Sequence, residues 1–148
     1  MSKLTQGLAV SLLLTAACVS LAQAADRTLY ERLGGKGAIA AVVDEFVGRV
    51  AEDGRINSFF AATAADPQRL TSFKAKLVDQ ICQASGGPCQ YKGKDMKTAH
   101  AGMGISGAQV DALVEDLVGA LDKFNVAPGD KNTLLGVLGP MKRDIVEK

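Results

Sequence analysis

The chain has 148 residues, and its 17 Lys and Arg against 16 Asp and Glu give a formal net charge of +1 at pH 7. This length fits one compact domain whose core is large enough for the chain to fold alone. A charge this close to zero gives no electrostatic case for binding nucleic acid or an anionic membrane surface.

The N-terminal residues have the features of a secretory signal peptide. Lys3 precedes an uncharged stretch over residues 8–22, and Ala22-Gln23-Ala24 supplies a small-x-small cleavage ending before Ala25. A membrane-spanning helix needs roughly 20 apolar residues, whereas this stretch is shorter and contains serine and threonine. We therefore expect cleavage after residue 24, with an uncleaved anchor as the alternative.

Cleavage would remove residues 1–24 as the signal peptide. The remaining domain, residues 25–148, would be periplasmic or secreted, without stable insertion in a membrane. A lipoprotein acylated at Cys18 is a weaker alternative, because a threonine stands where a large aliphatic residue is usual.

The mature chain would keep Cys82 and Cys89. An oxidising compartment permits a disulfide between them, but spacing alone does not show that their Cα atoms come close enough. A disulfide and two free thiols both remain open.

The hydrophobic periodicity after the leader favours helix over strand, which predicts an all-α fold. Thr28 and Glu31 form the Ser/Thr-x-x-Glu pattern of a capping box and predict a first helix of about two turns, ended by Gly34-Gly35. A second helix is predicted over residues 37–51, where apolar residues repeat on one helical face. These residues are Ile39, Val42, Val43, Phe46 and Val50.

A third helix is predicted from the cap at Asp66-Pro67 to about Ala84. Its core-facing stripe contains Lys74 together with four apolar residues. These are Leu70, Leu77, Val78 and Ile81. A lysine inside an apolar stripe makes Lys74 a candidate functional residue.

Ser85-Gly86-Gly87-Pro88 predicts the end of that helix, and a loop rich in glycine and lysine runs to about Lys94. Loops of this length inside compact domains are often functional. A brief helix with Met96 and His100 follows.

The C-terminal third predicts two further helices. Ser106 and Gln109 form a second capping box before a helix of about four turns. Pro128-Gly129 predicts a turn before the last helix, in which Pro140 should produce a kink.

The chemistry available to this chain is restricted by its single histidine, His100. The sequence has no paired-histidine zinc motif, no phosphate-binding glycine loop and no Cys-x-x-Cys-His motif. One histidine cannot build a Ser-His-Asp triad, but it can serve as the axial ligand of a porphyrin iron. Composition alone leaves a surface histidine as the commoner interpretation.

The residues around His100 favour the haem interpretation. The segment from Asp95 to Ile105 reads Asp-Met-Lys-Thr-Ala-His-Ala-Gly-Met-Gly-Ile and follows Gly86-Gly87 and Tyr91-x-Gly93. It closely resembles the proximal segment of the group 1 truncated haemoglobins, whose proximal histidine falls on His100. The resemblance extends over about residues 28–146, with further matches at 29–35, at 44–50 and at Phe59-Phe60.

This resemblance implies a truncated globin fold, a two-over-two helical sandwich that binds haem b non-covalently, with His100 as the iron ligand. By position it places eight further residues around the haem. They are Phe46, Phe60, Leu70, Lys74, Val78, Met96, Met103 and Ile105. For the apolar members of this set, plain core packing is the alternative.

The implied function is reversible binding of a diatomic ligand, O2 or possibly NO, outside the cytoplasm, with a reductase that the sequence does not identify. The family usually has a tyrosine after the phenylalanine at Phe46, and its hydroxyl donates a hydrogen bond to the bound ligand. Val47 has no donor, and a hydrogen bond to a charged group contributes about 1.5–3 kcal/mol. Tight O2 storage and NO dioxygenase activity are both put in doubt, so the sequence does not decide whether the protein is an enzyme.

Lys74 falls where the family often has a polar distal residue. We expect it to donate to the bound ligand or, if burial deprotonates it, to bind iron as a sixth ligand; otherwise it extends past the haem edge to solvent. A slip in register would put Phe73 or Lys76 there instead. A sixth ligand would favour electron transfer or another redox role, and a haem-free helical binding module is a remote alternative.

Overall fold

The computed structural model describes residues 26–148, so the predicted signal peptide over 1–24 and Cys18 lie outside the described residues. Within this range the chain is helical and has no strand, as the periodicity predicted. No helix in the described range is long and apolar enough to cross a membrane.

The structure contains eight α-helices and two 3-10 turns over these residues. In chain order they are α1 (Leu29–Arg32), α2 (Gly35–Glu52), a first 3-10 turn (Asn57–Phe60), α3 (Ala61–Ala64), α4 (Pro67–Ala84), α5 (Met96–His100), α6 (Gly107–Lys123), α7 (Pro128–Leu138), a second 3-10 turn (Gly139–Met141) and α8 (Lys142–Ile145).

Both predicted capping boxes are present. At α1, the Glu31 backbone N–H donates to Thr28 Oγ1 at 3.2 Å and the Thr28 N–H donates to Glu31 Oε2 at 2.8 Å. Ser106 and Gln109 make the same reciprocal pair at the start of α6. Helix α1 has one turn rather than two, because Leu33 is its C-cap and Gly34, the next residue, takes a positive φ of 93°.

The core lies between α2, α4 and α6, since α2 contacts both other long helices. All five apolar residues predicted for the inner face of α2 are buried. The other members of the core include Ile81 and Cys82 from α4, Leu117 and Leu121 from α6 and Leu134 from α7. These three long helices therefore fix the positions of the shorter elements around them.

The C-terminal region corrects one prediction. Pro128 does not lie in a turn before the last helix; it is the first residue of α7, where a missing N–H removes no helical hydrogen bond. Pro140 acts as expected, because α7 ends at Leu138 and the chain passes through a 3-10 turn into α8.

The two cysteines that the sequence left open form a disulfide, with their Cα atoms 5.7 Å apart. The bond joins the last turn of α4 to the loop before α5. Gly87 allows this approach, because a Cβ at that position would lie 2.6 Å from Cys82 Sγ and 2.8 Å from the Cys82 carbonyl oxygen.

Removal of this disulfide should lower the stability of the domain. Cys82 and Cys89 are seven residues apart, and closing a loop of this size contributes about 2–3 kcal/mol in the chain-entropy account. We expect the double variant Cys82→Ala/Cys89→Ala to lose about that much free energy of unfolding in urea. Reductant should shift the midpoint of the wild type but not that of the variant, and a wild-type midpoint insensitive to reductant would contradict the prediction.

Candidate functional site

A cavity of about 310 Å³ opens between α2, the first 3-10 turn, α3 and the N-terminal half of α4. Most of its wall is apolar. The lining residues are Phe46, Val47, Val50, Ala51, Asn57, Ser58, Phe60, Ala61, Thr63, Ala64, Leu70 and Phe73. Three residues that the sequence predicted for the site, Phe46, Phe60 and Leu70, are therefore brought together here.

Aromatic rings form one wall of the cavity. The ring centroids of Phe60 and Phe73 are 5.7 Å apart at an interplanar angle of 50°, a tilted arrangement typical of stable aromatic pairs. Phe46 is only 7% exposed and packs in the core beside them. These three phenylalanine rings give the cavity an apolar wall against which a flat apolar group can pack.

The predicted distal residue Lys74 makes an ion pair between α4 and α2. Its ammonium lies 2.9 Å from Asp44 Oδ1 on α2, and its side chain is 32% exposed. Lys74 is not among the residues that line the cavity, whereas its neighbour Phe73 is. The carboxylate across the α2–α4 contact gives the ammonium a partner near solvent, so the aromatic residue takes the inward position.

The sole histidine has a defined tautomer. His100 Nδ1 lies 2.7 Å from the Met96 carbonyl oxygen, and because a carbonyl only accepts, Nδ1 must carry the proton. The proton on Nδ1 leaves Nε2 with a lone pair, as a metal-binding imidazole requires. His100 is half-buried at the C-terminal end of α5.

Asp95 starts the helix that carries His100. Its carboxylate accepts from the Thr98 backbone N–H at 2.9 Å and from Thr98 Oγ1 at 2.6 Å. These hydrogen bonds hold the pKa of Asp95 below its usual range, so the cap is ionised at neutral pH. The cap fixes where this one-turn helix begins.

The loop before α5 is ordered by its own side chains. Tyr91 N–H donates to Gln83 Oε1 at 2.6 Å, and the Tyr91 hydroxyl donates to the Lys94 carbonyl oxygen at 2.8 Å. A Cβ at Gly93 would lie 2.2 Å from the Tyr91 hydroxyl oxygen. Any residue other than glycine at position 93 would therefore clash with the Tyr91 side chain. The Tyr91-x-Gly93 pattern thus has a structural reason.

Helix α4 connects the cavity with α5. Its N-terminal half supplies Leu70 and Phe73 to the cavity wall. Further along, the side-chain amide of Gln80 contacts Met96 Sδ at 3.5 Å and Met141 Sδ at 3.3 Å. Sequence reasoning missed Gln80, although it lies on the helix that was predicted, and it named Phe73 only as the residue that a slip in register would put in place of Lys74.

The remaining predicted residues lie outside the cavity wall. Val78 is buried in the core and Ile105 is 8% exposed, whereas Met103 is 37% exposed. Met96 and His100 are half-buried on α5. The structure therefore gathers most of the predicted residues into two groups, one at the cavity and one on α5 and the loop after it, whereas Lys74 and Val78 belong to neither.

These two groups fit a haem. Aromatic and aliphatic side chains offer an apolar surface for a macrocycle, and the Nε2 lone pair of His100 offers the one protein ligand that a porphyrin iron requires. An all-helical domain with these features belongs to the class of globin-type haem proteins.

Comparison with known proteins supports this class. The family model of bacterial-like globins matches residues 28–147. The group 1 truncated haemoglobin of Tetrahymena pyriformis is 34% identical over 122 residues, 82% of this chain and 97% of the relative. The group 1 truncated haemoglobin of a Synechocystis strain is 36% identical over 127 residues, 82% of this chain and 98% of the relative.

Solved structures agree. The truncated haemoglobin of Tetrahymena pyriformis in its Fe(III) form superposes with a TM-score of 0.74 at 31% identity, covering 82% of this chain and all of that one. The 2/2 haemoglobin of Synechococcus, cyanomet and with covalently attached haem, gives 0.74 at 30% identity with the same coverage. The chain thus belongs to the group 1 truncated haemoglobins, which confirms the predicted two-over-two fold, the haem b cofactor and the binding of gas ligands.

Replacement of His100 should remove the iron ligand. We expect His100→Ala, reconstituted with haemin, to retain less haem and to show altered absorption spectra in the ferric, ferrous and CO-bound states, because no other imidazole exists in the chain. Unchanged haem content and spectra would show that His100 does not hold the iron.

Lys74→Ala is the matched control. The Lys74 ammonium pairs with Asp44, so its loss should leave the ferric spectrum as in the wild type. Loss of a six-coordinate low-spin signature in Lys74→Ala would instead show that this lysine binds iron.

Proposed function

We propose that this protein reversibly binds a diatomic ligand, O2 or NO, outside the cytoplasm, at a haem iron that His100 holds. The hydrogen bond from His100 Nδ1 to the Met96 carbonyl oxygen at 2.7 Å carries the proposal. It prepares Nε2 as a ligand, and a hydrogen-bonded imidazole is a more basic ligand than one without a partner.

The chain's own residues have distinct roles in this proposal. Phe46, Phe60 and Phe73 contribute apolar surface that excludes water from the ligand side. Haem supplies the iron chemistry when bound. His100 would hold that iron from α5, and Gln80 on α4 contacts Met96 on the same short helix.

The ligand side offers no hydrogen-bond donor from α2. Val47 lines the cavity next to Phe46, and its side chain cannot donate. The polar lining residues are Asn57, Ser58 and Thr63, from the 3-10 turn and α3. Asn57 already donates to the Ala51 carbonyl oxygen at 3.4 Å. We therefore propose that O2 is held without the distal hydrogen bond that a tyrosine would give, and that tight O2 storage is not the function.

A tyrosine at position 47 should strengthen O2 binding. A charge-assisted hydrogen bond contributes about 1.5–3 kcal/mol, so we expect Val47→Tyr to slow O2 dissociation from the ferrous protein by about tenfold or more. Dissociation of CO should change much less, because bound CO develops less negative charge. Flash photolysis and stopped-flow measurements give both rates.

Val47→Phe separates the hydroxyl from ring size. It fills the same space without a donor, so its O2 dissociation rate should remain near that of the wild type. Equal rates in Val47→Tyr and Val47→Phe would show that position 47 does not reach the ligand. A wild type that binds neither O2, NO nor CO would overturn the proposed function.

The location outside the cytoplasm is supported by the leader sequence over residues 1–24 and by the disulfide between Cys82 and Cys89, which oxidising compartments favour. Expression of the full chain in a Gram-negative host should yield periplasmic or secreted protein whose mass corresponds to a chain beginning at Ala25. Recovery in the cytoplasm with the leader intact would contradict this proposal.

A further inference from the structure

The loop that follows His100 is short and rich in glycine. Gly102 and Gly104 both have positive φ, 78° and 62°, so the backbone takes a path that other residues rarely adopt. Inside the loop, one backbone hydrogen bond runs from the Met103 N–H to the His100 carbonyl oxygen at 3.1 Å. Because α5 has only five residues, it cannot hold its own position and depends on its neighbours.

The last two residues of the chain bind this loop. Glu147 Oε1 accepts from the Gly102 backbone N–H at 2.8 Å, and Oε2 accepts from the Gly104 N–H at 2.5 Å. In return the N–H groups of Glu147 and Lys148 donate to the Ile105 carbonyl oxygen at 2.8 and 3.3 Å. Hydrogen bonds to a carboxylate are stronger than those between neutral groups. We call this set of four hydrogen bonds the C-terminal clamp.

The clamp is anchored to the body of the domain. Helix α8, just before it, contacts both α5 and α6. The Lys142 ammonium at the start of α8 binds Asp111 on α6 at 2.5 Å, and the Val146 N–H donates to the Lys142 carbonyl oxygen at 3.0 Å. A long core helix therefore fixes the position from which Glu147 reaches the loop.

The Glu147 carboxylate is charged when it accepts these hydrogen bonds from the loop. Hydrogen bonds from the backbone N–H groups of Gly102 and Gly104 lower the pKa of Glu147, and the positive charge of Lys148 acts in the same direction.

We propose that Glu147 is a positioning residue for the haem ligand: it fixes the loop at Gly102 and Gly104 and thereby holds the His100 imidazole in the orientation that binds iron. The inference rests on the proposed function and extends it to Glu147. This residue lies 47 positions after His100 in the sequence and contacts neither the cavity nor the imidazole. Removal of the carboxylate should free the loop, broaden the range of ring orientations and weaken the bond between iron and histidine.

The test compares Glu147→Ala and Glu147→Gln with wild type. The glutamine keeps the shape but has one accepting oxygen instead of two, so it should give the smaller effect. We expect haem transfer to an excess of an apoglobin acceptor to speed up by about three- to tenfold in Glu147→Ala. The iron–histidine stretching band of the ferrous protein, measured by resonance Raman, should broaden or shift.

Glu115→Gln is the matched control. Glu115 is an exposed carboxylate that pairs with Arg55, so its loss removes one surface ion pair without touching the loop. A merely structural role of Glu147 would leave the iron–histidine band unchanged. Wild-type haem transfer and an unshifted band in Glu147→Ala would overturn the proposal.

Hydrogen exchange at the Gly102 and Gly104 amides separates failure of the clamp from failure of the proposed function. Faster exchange at both amides in Glu147→Ala supports the clamp, whereas wild-type exchange overturns it. This readout needs no haem. A wild type that takes up no haem would overturn the proposed function and, with it, the positioning role of Glu147, even if exchange showed that the clamp forms.

Discussion

The hydrogen bond between His100 Nδ1 and the Met96 carbonyl oxygen governs the chemistry of this domain, because it decides which imidazole nitrogen can bind a metal. It lies within a helix of five residues, and such a helix has too few internal hydrogen bonds to be stable alone. The orientation of the imidazole therefore depends on the residues that hold α5 in place from outside the helix. The Asp95 cap fixes one end of that helix, and the Glu147 carboxylate fixes the loop after the other end.

The loop before α5 shows the same dependence. It has no regular structure of its own, and three restraints limit its path: the disulfide, the hydrogen bond from Tyr91 to Lys94 and the acceptor on Gln83. Two of these restraints, the disulfide and the Gln83 acceptor, start from α4, whose N-terminal half forms part of the cavity wall. Because α4 is a long helix in the core, a change in its position would be felt both at the cavity and at the helix that carries His100.

Much of this architecture follows from local sequence. The capping boxes, the Asp66-Pro67 start of α4 and the buried face of α2 are decided by residues within one or two helical turns of each other, and all were predictable. The clamp was not, because Glu147 lies 43 and 45 residues from its two glycine partners. The disulfide was left open for a related reason, since only the path of the loop determines whether two nearby cysteines meet.

The position of Lys74 shows where periodicity stops being informative. Residues 73 and 74 differ by about 100° around the helix axis and lie on opposite sides of Leu70, so periodicity placed Lys74 inside the apolar stripe and Phe73 at its edge. The choice between them depends on what lies across the contact, and α2 offers a carboxylate at Asp44 to one and an apolar wall to the other. Burying the ammonium would require it to give up both water and that carboxylate, whereas burying the Phe73 ring is favourable.

This outcome has a consequence for ligand selection. With Phe73 inward and Val47 beside it, neither α2 nor α4 presents a hydrogen-bond donor to the cavity. A distal donor distinguishes O2 from NO and CO, because bound O2 develops the most negative charge. The polar side chains that remain in the lining, Asn57, Ser58 and Thr63, come from the 3-10 turn and α3. In the proposed function, discrimination among diatomic ligands would then depend more on the iron, whose electronic character the bond to His100 would set. Restraint of α5 by Asp95 and Glu147 therefore gains importance as the ligand side becomes more apolar.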